Sequence, residues 1–165
     1  MTRFLSTILL LTLAAGAQAA DSHPVDDIYR LFLADQIDAA AIENAYAKDI
    51  IHVGRDSTPL LRGREMFLQT NILPLAAMVN AGHAKVGGRF YIIRRIEGEE
   101  LLNDVGYLYA RVEMEGQATI EQLQKFSWVF RKGEDGVWRV ITDFDATPAD
   151  LSMLSSIEAA LIIGD

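Results

Sequence analysis

The stretch Gly136-Val137-Trp138-Arg139-Val140-Ile141 opens the last of several alternating segments in the C-terminal half of the chain. From about residue 84 onward, apolar and polar side chains alternate with a period of two, and glycine-containing turns separate the segments. Such alternation is typical of antiparallel strands with one buried face. Apolar residues at helical spacing precede them. This order predicts an α+β fold in a single domain, with a curved antiparallel sheet wrapped around N-terminal helices.

Four long strands are predicted, over about 84–96, 102–115, 119–131 and 137–146. A shorter strand is predicted over 49–55. In the third long strand Phe126, Trp128 and Phe130 fall on one face, because side chains two apart on a strand point the same way.

Helical patterns account for most of the remaining chain. The first helix is predicted to start with Ser22 as its cap and Pro24 in its first turn. A second, short helix is predicted from Asp38. A third follows Gly63, and Pro74 is expected to bend or interrupt it.

The N-terminus has the pattern of a secretory signal peptide. Arg3 precedes an apolar run that ends in the small-residue sequence Ala17-Gln18-Ala19, and the run is too short to span a bilayer. Residues 1–19 are therefore predicted to be removed, leaving 20–165 as one secreted, periplasmic domain without a membrane anchor.

Composition excludes several classes of function. The formal net charge is −8, which disfavours nucleic acid as a partner, because binding to a phosphate backbone depends on clustered lysine and arginine. The chain has no cysteine, so disulfides and thiolate chemistry are excluded. His23, His52 and His83 lack metal-ligand spacing, and no nucleotide-binding or hydrolase motif occurs. The sequence predicts neither a cofactor nor a metal site.

Five short stretches carry a resemblance to a known superfamily. They lie in the first helix, before the first strand, at the start of the third helix and in the last two strands: Asp26-Asp27-Ile28-Tyr29, Tyr46-Ala47-Lys48-Asp49, Leu61-Arg62-Gly63-Arg64-Glu65, Phe126-Ser127-Trp128-Val129-Phe130-Arg131 and Trp138-Arg139-Val140-Ile141. In this order they resemble the NTF2-like superfamily, and more narrowly its SnoaL-like and DUF4440-type members. The resemblance implies a cone-shaped α+β barrel around an apolar pocket, and a homodimer.

The resemblance does not bring an intact catalytic set with it. In the ketosteroid isomerase pattern, Gly54 occupies the position of the general base and Gln124 that of a carboxylic acid. Tyr29 lies near the position of the oxyanion-binding tyrosine. An aspartate-arginine-aspartate set like that of the epoxide hydrolase branch would have to come from Arg95, Asp104 and Asp143.

Polar residues within apolar strands are the remaining candidates for chemistry. His52 titrates near neutrality, and Asp143 and Asp145 share a strand face, so these three are the candidate catalytic residues. Their alternatives are a hydrogen-bonded wall histidine and a solvated strand end. The candidate ligand-binding residues are aromatic and have core packing as their alternative: Tyr29, Phe32, Tyr46, Phe126 and Trp128.

Three hypotheses for function remain open. The first is a secreted pocket protein that binds a small, largely apolar molecule without converting it. The second is an isomerase, cyclase or hydrolase that uses general acid-base chemistry with His52 and either Asp143 or Asp145, and it requires those groups to meet in one cavity. The third is a dimeric interaction module that assembles through its sheet or through a C-terminal helix predicted over 148–163.

Overall fold

The computed structural model describes residues 22–54 and 60–164, and the predicted signal peptide lies outside them. The described part contains four α-helices: α1 (Pro24–Arg30), α2 (Ala39–Ala45), α3 (Arg64–Phe67) and α4 (Leu73–Asn80). A π-helical turn, Leu68–Ile72, joins α3 to α4. No helix in these two ranges is long and apolar enough to cross a membrane.

Seven strands form one sheet, in the order β2-β1-β6-β5-β4-β3-β7. Their bounds are β1 (Tyr46–Val53), β2 (Leu61–Arg62), β3 (Ala84–Glu97), β4 (Leu101–Met114), β5 (Ile120–Lys132), β6 (Trp138–Ala149) and β7 (Leu161–Ile163). All neighbours are antiparallel except β1 and β6, which run parallel. The predicted α+β fold and the four long strands are confirmed.

The first helix is capped one residue later than predicted. His23, not Ser22, is the N-cap, and its Nδ1 accepts a hydrogen bond from the backbone N–H of Val25 at 3.2 Å. Asp26 completes a capping box by accepting from the backbone N–H of His23 at 3.0 Å. Pro24 occupies the first turn, where its missing N–H costs nothing.

The predicted interruption near Pro74 takes the form of the π-helical turn Leu68–Ile72. Proline cannot donate a backbone hydrogen bond and its ring clashes with the carbonyl one turn earlier. Widening the helix just before Pro74 relieves both problems. The extra residue turns Asn71 toward the concave side of the sheet, where it lines a cavity.

The prediction of a C-terminal helix over 148–163 is wrong. Strand β6 continues to Ala149, a short 3-10 helix covers Leu151–Ser156, and β7 follows. Strand β7 pairs with β3, so it supplies hydrogen-bond partners for that edge and buries Ile163. Edge pairing of this kind outweighed the helical spacing of the apolar residues. The hypothesis of a dimeric interaction module can therefore no longer rely on a C-terminal helix.

Register shifts curve the sheet around the helices. They occur in the pairings β1–β6, β3–β4 and β5–β6. Such shifts bend strands and increase their twist. Gly106 lies beside the β3–β4 shift, where β3 comes so close that a Cβ would overlap the carbonyl oxygen of Tyr91. The concave side of the curved sheet packs against the helices and holds the core.

We predict that Gly106→Ala lowers the free energy of unfolding by about 3 kcal/mol or more, because the backbone of β3 must move to admit the methyl group. Gly87→Ala is the matched control in the adjacent strand, since a Cβ there meets no atom within 4 Å. Urea unfolding of both variants measures the difference. Equal stability of the two variants would show that the close approach does not constrain the sheet.

Candidate functional site

One row of side chains crosses five strands at a single register. The cross-strand pairs are His52 with Asp143, Asp143 with Trp128, Trp128 with Asp104, and Asp104 with Arg95. Residues paired directly across strands point to the same face of a sheet. All five members of this row therefore project to the concave side, with Trp128 at the centre and a buried carboxylate on each side.

The Asp104 end of the row is held by an arginine. Asp104 is fully buried, and its two oxygens accept hydrogen bonds from Nε and Nη2 of Arg95 at 2.9 and 2.8 Å. Arg95 also donates to Asp26 of α1 at 2.8 Å, and Tyr29 Oη donates to Asp104 at 2.9 Å. These contacts tie α1 to the sheet. Burial of the phenol, together with the nearby Asp104 charge, raises the pKa of Tyr29 far above its usual range.

At the Asp143 end, no arginine or lysine of the described ranges is hydrogen-bonded to the carboxylate. Its Oδ1 accepts from Trp128 Nε1 at 2.8 Å, and its Oδ2 accepts from Tyr46 Oη at 3.2 Å. Both donors are neutral. Burial and the Asp143 carboxylate raise the pKa of Tyr46 well above its usual range, so this phenol keeps its proton and remains a donor.

His52 is the basic group nearest to this carboxylate. Its Nδ1 lies 3.6 Å from Asp143 Oδ2, which is beyond hydrogen-bond distance, and this buried nitrogen has no hydrogen-bond partner. Burial alone would lower the pKa of His52, but the negative charges of Asp143 and Asp145 outweigh it and raise the pKa above the ordinary value. The ring packs against Phe67 at a centroid distance of 5.2 Å.

A cavity of about 260 Å³ lies above this end of the row. Most of its lining is apolar, including Phe32, Phe67, Leu108 and Trp128. Its polar lining residues are His52, Asn71, Gln122, Gln124, Asp143 and Asp145. No lysine or arginine is among the lining residues in the described ranges. The cavity thus combines a hydrophobic interior with one acidic wall.

The three candidate catalytic residues meet in this wall. Ligating atoms of His52, Asp143 and Asp145 all lie within 4.8 Å of one another, with the first two buried and Asp145 half-buried. Asp143 and Asp145 share a face of β6, and the parallel pairing of β1 with β6 places His52 opposite Asp143. The arrangement offers two carboxylates and an imidazole for proton transfer or for holding a cation.

The candidate ligand-binding residues divide into two groups. Phe32, Tyr46 and Trp128 line the cavity. Tyr29 and Phe126 are not among its lining residues. Tyr29 stacks on the inner face of Trp128, with centroids 4.9 Å apart and planes 5° from parallel, and Phe126 packs beside them in the core.

The structure also shows where the residues that partly match enzyme patterns lie. The hydroxyl of Tyr29 is bonded to Asp104, so it is not presented to the cavity. Arg95 joins Asp104 and Asp26, so the set of Arg95, Asp104 and Asp143 does not form. Gln124 does line the cavity, whereas Gly54 is not among the lining residues.

Asn71 is a site residue that the sequence reasoning missed. Its Nδ2 is buried without a hydrogen-bond partner, and the residue lines the cavity from the π-helical turn. π-Helical turns within α-helices often occur at functional sites. The available signal was Pro74, three residues downstream, which predicted an irregular helix at this point.

Comparison with solved structures identifies the fold. The chain is similar to a conserved protein from Planctomyces limnophilus, with a TM-score of 0.62 and 17% identity over 76% of this chain and 95% of that one. It is similar to an NTF2-like protein with a cystatin-like fold from Novosphingobium aromaticivorans, at 0.58 and 14% over 82% and 87%. A candidate dehydratase of the NTF2-like family from Streptomyces avermitilis gives 0.59 and 14% over 76% and 94%.

The chain has the NTF2-like cone fold that its sequence predicted. No protein-family profile matches the sequence, and no curated protein matches it. At these identities the similarity establishes the fold alone, because one fold supports many functions. Function must therefore be inferred from the cavity itself.

Proposed function

We propose that this protein binds a small, largely apolar molecule in the cavity and directs one polar group of that molecule toward His52, Asp143 and Asp145. The observation that carries the proposal is a largely apolar lining with a few polar residues, among them His52, Asp143 and Asp145. Pockets with this composition bind ligands through hydrophobic contact and orient them through a few polar groups.

The dimensions of the cavity limit the ligand. Its volume, about 260 Å³, lies just below the range of roughly 300–1,000 Å³ that is usual for ligand pockets, so a molecule of one or two rings fits best. The aromatic side chains of Phe32, Phe67 and Trp128 supply flat apolar surface. The acidic wall disfavours an anionic group on the ligand.

We predict that 2-naphthol, which has two rings and one hydroxyl, quenches the fluorescence of Trp128 saturably, with a Kd in about the micromolar to millimolar range. A Trp138→Phe background isolates the signal of Trp128, because the chain has two tryptophans. Ala110→Phe fills part of the cavity and should weaken binding at least about tenfold, since that corresponds to only 1.4 kcal/mol.

Val105→Phe is the matched control for this experiment. It lies in the same strand as Ala110 but is exposed and is not among the cavity-lining residues, so binding should be unchanged. Equal effects of the two substitutions, or quenching that never saturates, would contradict binding in the cavity.

A second candidate function is general acid-base catalysis on the bound molecule. The convergence of His52, Asp143 and Asp145 in the cavity wall favours it. His52 and Asp145 would exchange protons with the ligand. Asp143 would act as a positioning residue, since Tyr46 and Trp128 hold its carboxylate. The candidate dehydratase with the same fold is consistent with such chemistry but does not transfer it to this chain.

For this second candidate, a small β,γ-unsaturated ketone, 3-cyclohexenone, is the probe, and its conversion to the conjugated isomer is followed by ultraviolet absorbance in buffer containing EDTA. We expect turnover by the wild type and a loss of about 10²-fold or more in His52→Gln, because positioned proton transfer contributes on that scale. Asp49→Asn, an exposed change in the same strand, is the control. Equal rates in wild type and His52→Gln would contradict a catalytic role for His52.

A further inference from the structure

We propose that His52, Asp143 and Asp145 form a binding site for a divalent transition-metal cation in the acidic wall of the cavity. The inference goes beyond ligand binding and does not depend on which organic molecule the cavity accepts. It rests on the geometry of the three side chains, on a buried imidazole nitrogen without a hydrogen-bond partner, and on the absence of an arginine or lysine hydrogen-bonded to Asp143 among the described residues.

The distances suit one shared ion. His52 Nδ1 and Asp143 Oδ2 are 3.6 Å apart, and two ligands about 2.1 Å from one zinc-sized ion at that separation subtend an angle of about 120°. Asp145 brings a third ligating atom within 4.8 Å of the other two. Ligands at the tetrahedral angle around one such ion lie about 3.4 Å apart, so a side-chain movement of up to roughly 1.4 Å closes the site.

The imidazole nitrogen is an independent sign of a missing partner. The His52 side chain is only 6% exposed, and its Nδ1 has no hydrogen-bond partner although it faces Asp143. Buried polar atoms are nearly always satisfied, and those that are not call for an explanation such as an ion. An imidazole nitrogen directed toward two carboxylates is a suitable metal ligand.

The hydrogen bonds along the row leave room for a cation at this end. Arg95 is hydrogen-bonded to both Asp104 and Asp26, whereas the hydrogen bonds to Asp143 come from the neutral Trp128 and Tyr46. The nearest basic group, His52 Nδ1, lies 3.6 Å from Asp143 without a hydrogen bond. A divalent ion bound between them would give Asp143 a directly bonded cation, as Arg95 does for Asp104.

The surrounding hydrogen bonds already orient Asp143 as a ligand. Trp128 Nε1 holds Oδ1, and Tyr46 Oη occupies one of the two lone-pair sites of Oδ2. The second lone pair of Oδ2 remains available for an ion. Outer contacts of this kind fix the orientation of ligating carboxylates in metal sites.

The ligand types indicate which metals fit. One imidazole with two carboxylates suits zinc, cobalt, manganese or ferrous iron, whereas magnesium prefers oxygen ligands alone. Three protein ligands leave a coordination position open toward the cavity, where a polar group of a bound molecule could reach the ion.

The test is titration of the EDTA-treated, desalted protein with Co²⁺, followed by visible absorbance, and by calorimetry with Zn²⁺ and Mg²⁺. We expect one Co²⁺ or Zn²⁺ per chain and at least about tenfold weaker binding of Mg²⁺. His52→Gln and Asp145→Asn should each weaken Zn²⁺ binding by about tenfold or more. Asp49→Asn makes the same chemical change as Asp145→Asn at an exposed position in β1 and should bind like the wild type.

Two variants keep the test decisive if one is unstable, and circular dichroism checks that each is folded. No saturable binding of Co²⁺ or Zn²⁺ by the wild type would overturn the proposal, as would binding that is equal in wild type, His52→Gln and Asp145→Asn. When 2-naphthol binding is measured in the same EDTA-treated protein, failure of metal binding and failure of ligand binding are separate results.

Discussion

The cross-strand pairing of two buried aspartates with Trp128 is the constraint on which the rest of this structure depends. Asp104, Trp128 and Asp143 stand side by side on β4, β5 and β6. A shift of one residue in either pairing would move one member to the opposite face of the sheet. It would separate Asp104 or Asp143 from Trp128, and in the second case the hydrogen bond from Trp128 Nε1 to Asp143 would be lost. The register of the sheet and the content of the site are therefore specified together.

The two ends of the row are built alike but completed differently. Each aspartate accepts a tyrosine hydroxyl, from Tyr29 at one end and from Tyr46 at the other. Only Asp104 is also bonded to an arginine, and no cavity-lining residue takes part in that cluster. The Asp104 end thus joins α1 to the sheet, whereas the Asp143 end faces open volume. Acidic groups that face a cavity without a hydrogen-bonded arginine are the kind of local cost that proteins retain for function.

Sequence patterns predicted the architecture because the alternation typical of strands and the spacing typical of helices recur regularly along the chain. The alternation in the four long strands and the aromatic face of Phe126, Trp128 and Phe130 need only local information. The helix prediction for the C-terminal segment was wrong because the sequence of that segment does not show that β3 has a free edge to pair with. Its apolar spacing suited a helix, but pairing with a distant strand determined the result.

The site was only partly predictable for the same physical reason. Asp143 and Asp145 are two apart on one strand, so their common face followed from the sequence. That His52 joins them depends on the parallel pairing of β1 with β6, which links positions about 90 residues apart. That Tyr29 lies in the core whereas Tyr46 lines the cavity could be learned only from three-dimensional contacts. The same is true of the residues with which Arg95 pairs.

The most direct test of this account is the free energy of unfolding of Asp104→Asn compared with Asp143→Asn, measured in urea with EDTA present. Asp104→Asn should cost about 3 kcal/mol or more, because it breaks a buried ion pair and leaves Arg95 with less compensation. Asp143→Asn should cost about 1 kcal/mol or less, since its hydrogen bonds come from the neutral Trp128 and Tyr46 and its contact with His52 is longer than a hydrogen bond. An amide can still accept from Trp128. Equal losses, or a larger loss for Asp143→Asn, would contradict the division of the row into a structural end and a functional one.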